Sequence, residues 1–278
     1  MTELCYVYAV TRPFDGTLPE GLAGVAGTPP RLLAHDGLLA VLGDVPADDF
    51  SEEPLRARLE DLDWLTSTAR AHEAVIGALA AVTSPLPLRL ATVCNDDGGV
   101  RRLLDSGRER FTRCLERLDG RVEWGVKAYA REAPESPRDD ATTSTGPKGP
   151  TGPTGPAGPT GAPSGRDYLR QRLRQRNARS SILAEADTGS RLLHQELSRL
   201  AEDVRVHRLQ DARLPGVPRG NVLNAAYLLP REQSGAFVEE VRRLGARSPG
   251  IRVELTGPWA PYSFADVTDP AREGSEGR

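Results

Sequence analysis

The chain has 278 residues, of which 38% are hydrophobic and 27% charged, with a net charge of -3. That length and polarity suit two modest domains with cores of their own. The weak net charge supplies no general field for nucleic acid or an anionic membrane.

Leu4 to Val10 is β-branched and aromatic and apolar on both faces, which predicts a central strand. Residues 15–30 are rich in Gly and Pro and read as loop. Asp36-Gly37 between 31–35 and 38–45 predicts a hairpin. Ser51 reads as an N-cap, with Glu52, Glu53 and Pro54 close behind, for a helix through Leu55, Leu59 and Leu62. A second helical stripe follows at Trp64, Thr68, Ala71, Val75, Ala78 and Val82. Pro85 and Pro87 end it and open a strand with Leu88, Leu90 and Thr92 on one face. Asp96 or Asp97 caps a helix bearing Val100, Leu103, Leu104, Phe111, Leu115 and Leu118. Asp119-Gly120 stops that helix, and 121–131 alternates as a strand with Val122, Trp124, Val126 and Ala128 on one side.

From Gly146 to Pro163 glycine recurs at every third residue, and proline follows five of the six glycines. Neither a helix nor a central strand passes through such a segment. It fits a collagen-like triple helix or a polyproline II spacer. Six triplets are few, which favours the spacer, about 55 Å long at ~3.1 Å per residue.

Beyond it, 166–201 is helical nearly throughout, with Gly189 as a predicted kink. Strands are expected at 204–209, 221–229 and 251–255, and a helix at 232–244. The order α, β, β, α, β makes most of a ferredoxin-like unit. The pattern therefore predicts an α+β protein of two ferredoxin-like-variant domains, 1–132 and 165–268. A Pro/Gly-rich linker, 133–164, joins them, and 269–278 reads as a disordered tail.

Little here carries chemistry. Cys5, Cys94 and Cys114 form no CxxC and read as buried thiols in a cytoplasmic protein. No secretion signal and no apolar run of ~18 residues is visible. Lysine occurs only at Lys127 and Lys148, an arginine bias that suits a GC-rich bacterial genome. His72-Glu73 is not HExxH, since Ile76 stands where the second histidine belongs. His72 fits either the edge of a core or a partner contact. His35, His194 and His207 show no ligand spacing, so no metal is expected. No phosphate-binding glycine motif and no nucleophile motif is present, so no cofactor and no enzymatic activity is expected.

The arginines at 166, 170, 172, 174, 176 and 179 point around their helix, more like a solvated face than a nucleic-acid stripe. They also suit a docking surface for an acidic partner. The segment TGPWAPYSF, 256–264, holds three aromatics between prolines that pre-order it. It reads as a core plug or as an anchor for another protein. Pro258 and Pro261 are expected to fix Trp259 in a groove beside the final strand, as core. Tyr262 and Phe264 are expected on one partly exposed side, facing a partner.

At this motif the chain resembles the gas vesicle protein L/F family (GvpL/GvpF). The resemblance rests on YVYAV at 6–10, WLTSTARAHEAVIGALAAVTSPLPLRLATV at 64–93, NAAYLL at 224–229 and LTGPWAPYSF at 255–264. GRDYLRQR at 165–172 matches the family's entry into its second domain, whereas the Gly-Pro triplets depart from its pattern. The resemblance implies a non-enzymatic role in assembling gas vesicles, hollow protein-walled buoyancy organelles, and a place at the vesicle or in the cytoplasm. Implied partners are the major shell protein and other gas vesicle accessory proteins, with neither nucleic acid nor membrane. A shell protein exposes apolar surface to gas, and an accessory protein could cover that surface. Candidate partner-binding or motif residues are Trp64, His72, Glu73, Leu88, Arg89, Thr92, Tyr168, Trp259, Tyr262 and Phe264. The alternative is a ferredoxin-like regulatory module that binds a small metabolite.

Overall fold

A computed structural model describes residues 2–131, 165–209 and 220–265. The linker and tail expectations, 133–164 and 269–278, lie outside the described residues.

The first sheet is built on β1 (Glu3–Thr11), and its strand order is β2-β3-β1-β4. β2 (Arg31–His35) and β3 (Leu38–Pro46) are joined by the expected hairpin. His35 pairs with Leu38, and Asp36 and Gly37 both take positive φ, the two-residue turn that matches strand twist. β1 is buried on both faces, as its uniformly apolar sequence predicts. Tyr6 and Tyr8 point to one core and Cys5 and Val7 to another.

Between β3 and the next strand run α1 (Ala47–Phe50), α2 (Glu52–Arg58) and α3 (Leu62–Ala80). The expected helix through Leu62 ends at Arg58. Asp61 starts a new one by accepting from the N–H groups of Asp63 and Trp64. On α3 the buried face is Thr68, His72, Val75, Ile76 and Leu79, rotated from the predicted stripe, and Val82 lies exposed beyond the helix. The segment 85–94 is not one strand. β4 (Leu86–Pro87) and β5 (Val93–Cys94) both pair with β1, separated by a turn. In that turn Ala91 takes φ 62° and Thr92 Oγ1 donates to the Arg89 carbonyl at 2.8 Å. Next comes α4 (Asp97–Leu118), capped by the Asp96 carboxylate accepting from Gly99 N–H at 2.6 Å. Gly107 leaves room for the Phe111 ring, which a Cβ there would meet at 2.4 Å.

β6 (Arg121–Ala130) is the main difference from the sequence reading. It follows α4 directly and was expected to finish the first domain. Its hydrogen bonds place it in the second sheet instead, between β8 (Asn221–Pro230) and β9 (Ile251–Trp259). The physical reason is available edges: β3 flanks one side of β1, and β4 and β5 flank the other. The second unit is completed by α5 (Gly165–Leu200), β7 (Asp203–Val206) and α6 (Ser234–Arg247). Its chain order β6-α5-β7-β8-α6-β9 and sheet order β7-β8-β6-β9 make a full βαββαβ ferredoxin-like unit. β6 is the strand missing from the α, β, β, α, β reading. The Gly-Pro triplets therefore fall in sequence between the first strand and first helix of this unit.

One face of the second sheet, including Val122, Val126, Tyr227 and Leu229, packs on α5 and α6 through Ala186, Leu193, Leu197, Phe237 and Val241. The opposite face contributes Ala226 and Leu228 to the core that contains Val100, Leu104, Phe111 and Leu115 of α4. Arg117 of α4 also pairs with Asp203 of β7 at 2.6 Å. The two units thus share a core around α4.

Candidate functional site: the groove between α3 and the C-terminal aromatic segment

After β9 the chain turns back over the junction of the two units. Gly257 makes that path possible: its φ is +130°, and a Cβ would lie 2.9 Å from the Glu123 carbonyl oxygen. Ala260 and Phe264 are buried, and Phe264 enters the α4 core with no exposure. Trp259, by contrast, is 45% exposed. The expectation is therefore reversed for two of the aromatics, Phe264 being the plug and Trp259 facing solvent, while Tyr262 is half-buried. The alternation argument assumed an extended segment, but Tyr262–Phe264 is a 3-10 turn.

Trp259 forms one wall of a groove of about 500 Å³. The opposite wall is α3, presented by Ala74, Gly77, Ala80 and Ala81, with Arg70, Glu73 and Arg231 also lining it. The small residues at helical spacing let the tail lie close to α3. A narrower extension continues past Ser84, Pro85 and Pro261. Arg231 donates to the Ala80 carbonyl at 3.2 Å and so braces the end of α3.

Beneath the groove lies a layer of buried polar groups. His72 is 3% exposed, and Tyr6 Oη lies 3.0 Å from its Nδ1. Tyr6 Oη also accepts from Ala91 N–H at 3.1 Å. Burial lowers the His72 pKa to about 4, so the ring is neutral at pH 7. Neither His72 Nε2 nor Tyr262 Oη has a hydrogen-bond partner among the described residues. The Tyr262 hydroxyl faces the Glu73 carboxyl near enough to favour its ionised form, without full hydrogen-bond geometry. Burial nevertheless pushes the Glu73 pKa up, with the Glu123 charge adding to the rise. Glu123, 9% exposed on β6, accepts from Ser263 N–H at 2.8 Å and from Ser263 Oγ at 2.7 Å. Burial raises the Glu123 carboxyl too, against the Ser263 bonds and the nearby His207, whose Nε2 is 3.2 Å from Ser263 Oγ.

The structure thus brings His72, Glu73, Trp259 and Tyr262 together. Trp64 is elsewhere on α3, half-buried against Phe50 with ring centroids 5.5 Å apart. Leu88 is buried core, and its N–H bonds the Tyr8 carbonyl at 2.8 Å. Arg89 is exposed on the turn and Thr92 is half-buried there. The Tyr168 side chain lies outside the described residues. Glu123 and Ser263 were not singled out in the sequence; a glutamate among Val122, Trp124 and Val126 was the available signal. The sequence also gave no hint of the surface cluster of His35, Asp36 and Asp105. Its donors are already engaged, His35 Nε2 with Asp105 at 2.7 Å and Asp36 with Arg108 at 2.8 Å. No helix among the described residues is long and apolar enough to cross a membrane.

The chain is 60% identical over 267 residues to gas vesicle protein L of Streptomyces sp. (strain CB03234), covering 96% of this chain and 94% of that protein. It is 27% identical over 265 residues to gas vesicle protein F of the same organism, covering 94% and 99%. The crystal structure of GvpF from Anabaena sp. PCC7120 superposes with a TM-score of 0.61 at 18% identity, covering 96% of this chain and 98% of that one. GvpF from Microcystis aeruginosa gives 0.59, also at 18% identity, covering 95% and 99%. The family model for gas vesicle synthesis protein GvpL/GvpF matches residues 4–266, through both sheets and the returning aromatic segment, and the chain belongs to that family.

Proposed function

We propose that this protein serves gas vesicle assembly by protein–protein contact, and that the groove between α3 and Trp259 receives an apolar helix of the vesicle shell protein. The exposed Trp259 beside a floor of small residues carries this reading. A floor built from Ala74, Gly77 and Ala81 allows another helix to approach closely, and a large aromatic at the edge supplies the anchor. Arg70, Glu73 and Arg231 in the same groove set orientation rather than affinity. Of the buried polar groups beneath, the Glu123 carboxylate holds the tail through Ser263 and His72 is bonded to Tyr6 of β1.

A shell subunit with apolar surface aggregates in water unless covered. Docking its helix here would shield that surface until the subunit joins the wall. Co-expression of the shell protein with the parent chain or with Trp259→Ala tests this. The parent should retain soluble shell protein through purification and the variant should lose it. Equal retention by both would remove the groove from the account.

A further inference from the structure

Two oppositely charged surfaces occupy separate parts of the fold. Residues 47–63, spanning α1, α2 and the start of α3, hold seven acidic residues against Arg56 and Arg58, a net charge of -5. Residues 165–183 of α5 hold six arginines against one aspartate, a net charge of +5. Arg170, Arg172, Arg174 and Arg176 are exposed, as are Asp48, Glu53, Glu60 and Asp63. Arg56 and Arg58 pair within the patch, with Glu52 and Asp49, and Asp61 is used as the α3 cap. Asp48, Glu53, Glu60 and Asp63 make no ion pair among the described residues, and no ion pair there joins the two surfaces.

Each surface also exposes leucines. Leu59 and Leu62 are 42% and 75% exposed on the acidic side, and Leu173 and Leu183 are 57% and 44% exposed on the basic side. On α5 the first buried residue among those described is Ala186. The described residues of α5 before it are exposed apart from the half-buried Ile182.

We propose that the two surfaces are the halves of one contact between copies of this chain, with the basic part of α5 from one copy lying on the acidic patch of the next. Both complementary halves are present on each chain, with opposite and equal net charge. Such a contact is heterologous, so it builds a ring or an open array rather than a closed pair. Single exposed ion pairs contribute little, so the attraction resides in the array of charges and the leucines between them. It must therefore weaken as salt screens it. A nucleic acid would use only the basic helix and would leave the acidic patch and its leucines unexplained.

The test is analytical sedimentation of the full chain in about 50 mM and about 500 mM salt, where the screening length falls severalfold. Two variants accompany it: one with Arg170→Glu, Arg172→Glu, Arg174→Glu and Arg176→Glu, the other with Asp48→Lys, Glu53→Lys and Glu60→Lys. The parent should associate at low salt and dissociate at high salt. Each variant alone should be monomeric, and an equimolar mixture should associate again, because each supplies a face complementary to the other's. That recovery also shows that both variants are folded. A parent that stays monomeric at low salt overturns the proposal, as does association that survives in either variant alone. A monomeric parent that binds a short DNA duplex through the same arginines overturns it in favour of nucleic acid.

Discussion

Ser263 donates both its backbone N–H and its hydroxyl to the carboxylate of Glu123, at 2.8 and 2.7 Å. The two residues are 140 positions apart, on the returning tail and on the first strand of the second sheet. This clamp fixes the segment that carries Trp259, so the groove depends on it. Glu123→Ala leaves the part-buried Ser263 N–H without its acceptor, and a fully buried unmade hydrogen bond, the upper bound here, costs about 1–3 kcal/mol. The expected result is a clear fall in melting temperature for Glu123→Ala and a smaller one for Glu123→Gln, which keeps one acceptor. Equal melting of all three proteins would show that the clamp contributes nothing.

The aromatics of the tail should separate cleanly by burial. Phe264 is fully enclosed, so Phe264→Ala should cost about 3–5 kcal/mol in denaturant unfolding. Trp259 is 45% exposed, and Trp259→Ala should cost less than about 1 kcal/mol. A Trp259 variant as unstable as the Phe264 variant would place that ring in the core after all.

Acid should act through His72. Its pKa is about 4 in the folded chain against 6.5 when free, so the unfolded chain binds more protons between those values. Stability contributed by the neutral ring is present above pH 6.5 and is lost as pH falls toward 4. The loss from this group amounts to about 2 kcal/mol between pH 7 and pH 5. Glu73 and Glu123 work in the opposite direction, because their raised pKa values mean that folding favours their protonated forms. The measurement is therefore a difference: urea unfolding of the parent and of His72→Phe at both pH values. The variant, with Tyr6, Tyr8 and Tyr262 still around the ring, should lose less stability on acidification. Identical losses would show that His72 does not titrate in this window.

The placement of β6 predicts where the chain can be divided. A fragment covering 121–278 contains all four strands of the second sheet and should unfold cooperatively. A fragment covering 165–278 lacks the strand between β8 and β9 and should not. Circular dichroism through a denaturant series distinguishes them. A cooperative transition in the shorter fragment would contradict the βαββαβ unit.

Much of this fold was legible in the sequence. β1 showed by being apolar on both faces, the hairpin by Asp36-Gly37, and α4 by its period and its Asp96 cap. What was not legible depended on pairing. Alternation in Val122, Trp124, Val126 and Ala128 marks a strand but not its sheet, and the Gly-Pro segment after it suggested a boundary that the hydrogen bonds place earlier. Two prolines near Trp259 suggested a rigid core position. Rigidity and burial are different properties, and the 3-10 turn sends Phe264 inward instead. His72 was visible as a histidine on an apolar helix face, but the Tyr6 hydroxyl that holds it comes from a strand 66 residues away. Glu123 carries no motif at all, and its role exists only once the tail has returned.

On the proposed function, the groove between α3 and Trp259 binds the shell protein. Gly77 gives its most direct test, because a Cβ there meets nothing within 4 Å, so the Gly77→Leu side chain enters the groove with no clash at its root. Removing glycine from a helix interior also favours the helix by about 0.5–1 kcal/mol, so the variant should melt no lower than the parent. Affinity for immobilised shell protein should be measured for the parent, Gly77→Leu and Trp259→Ala. Both variants should raise Kd at least about tenfold, equivalent to about 1.4 kcal/mol, with melting temperature essentially preserved. Two well-folded variants that bind as tightly as the parent would contradict the proposed function.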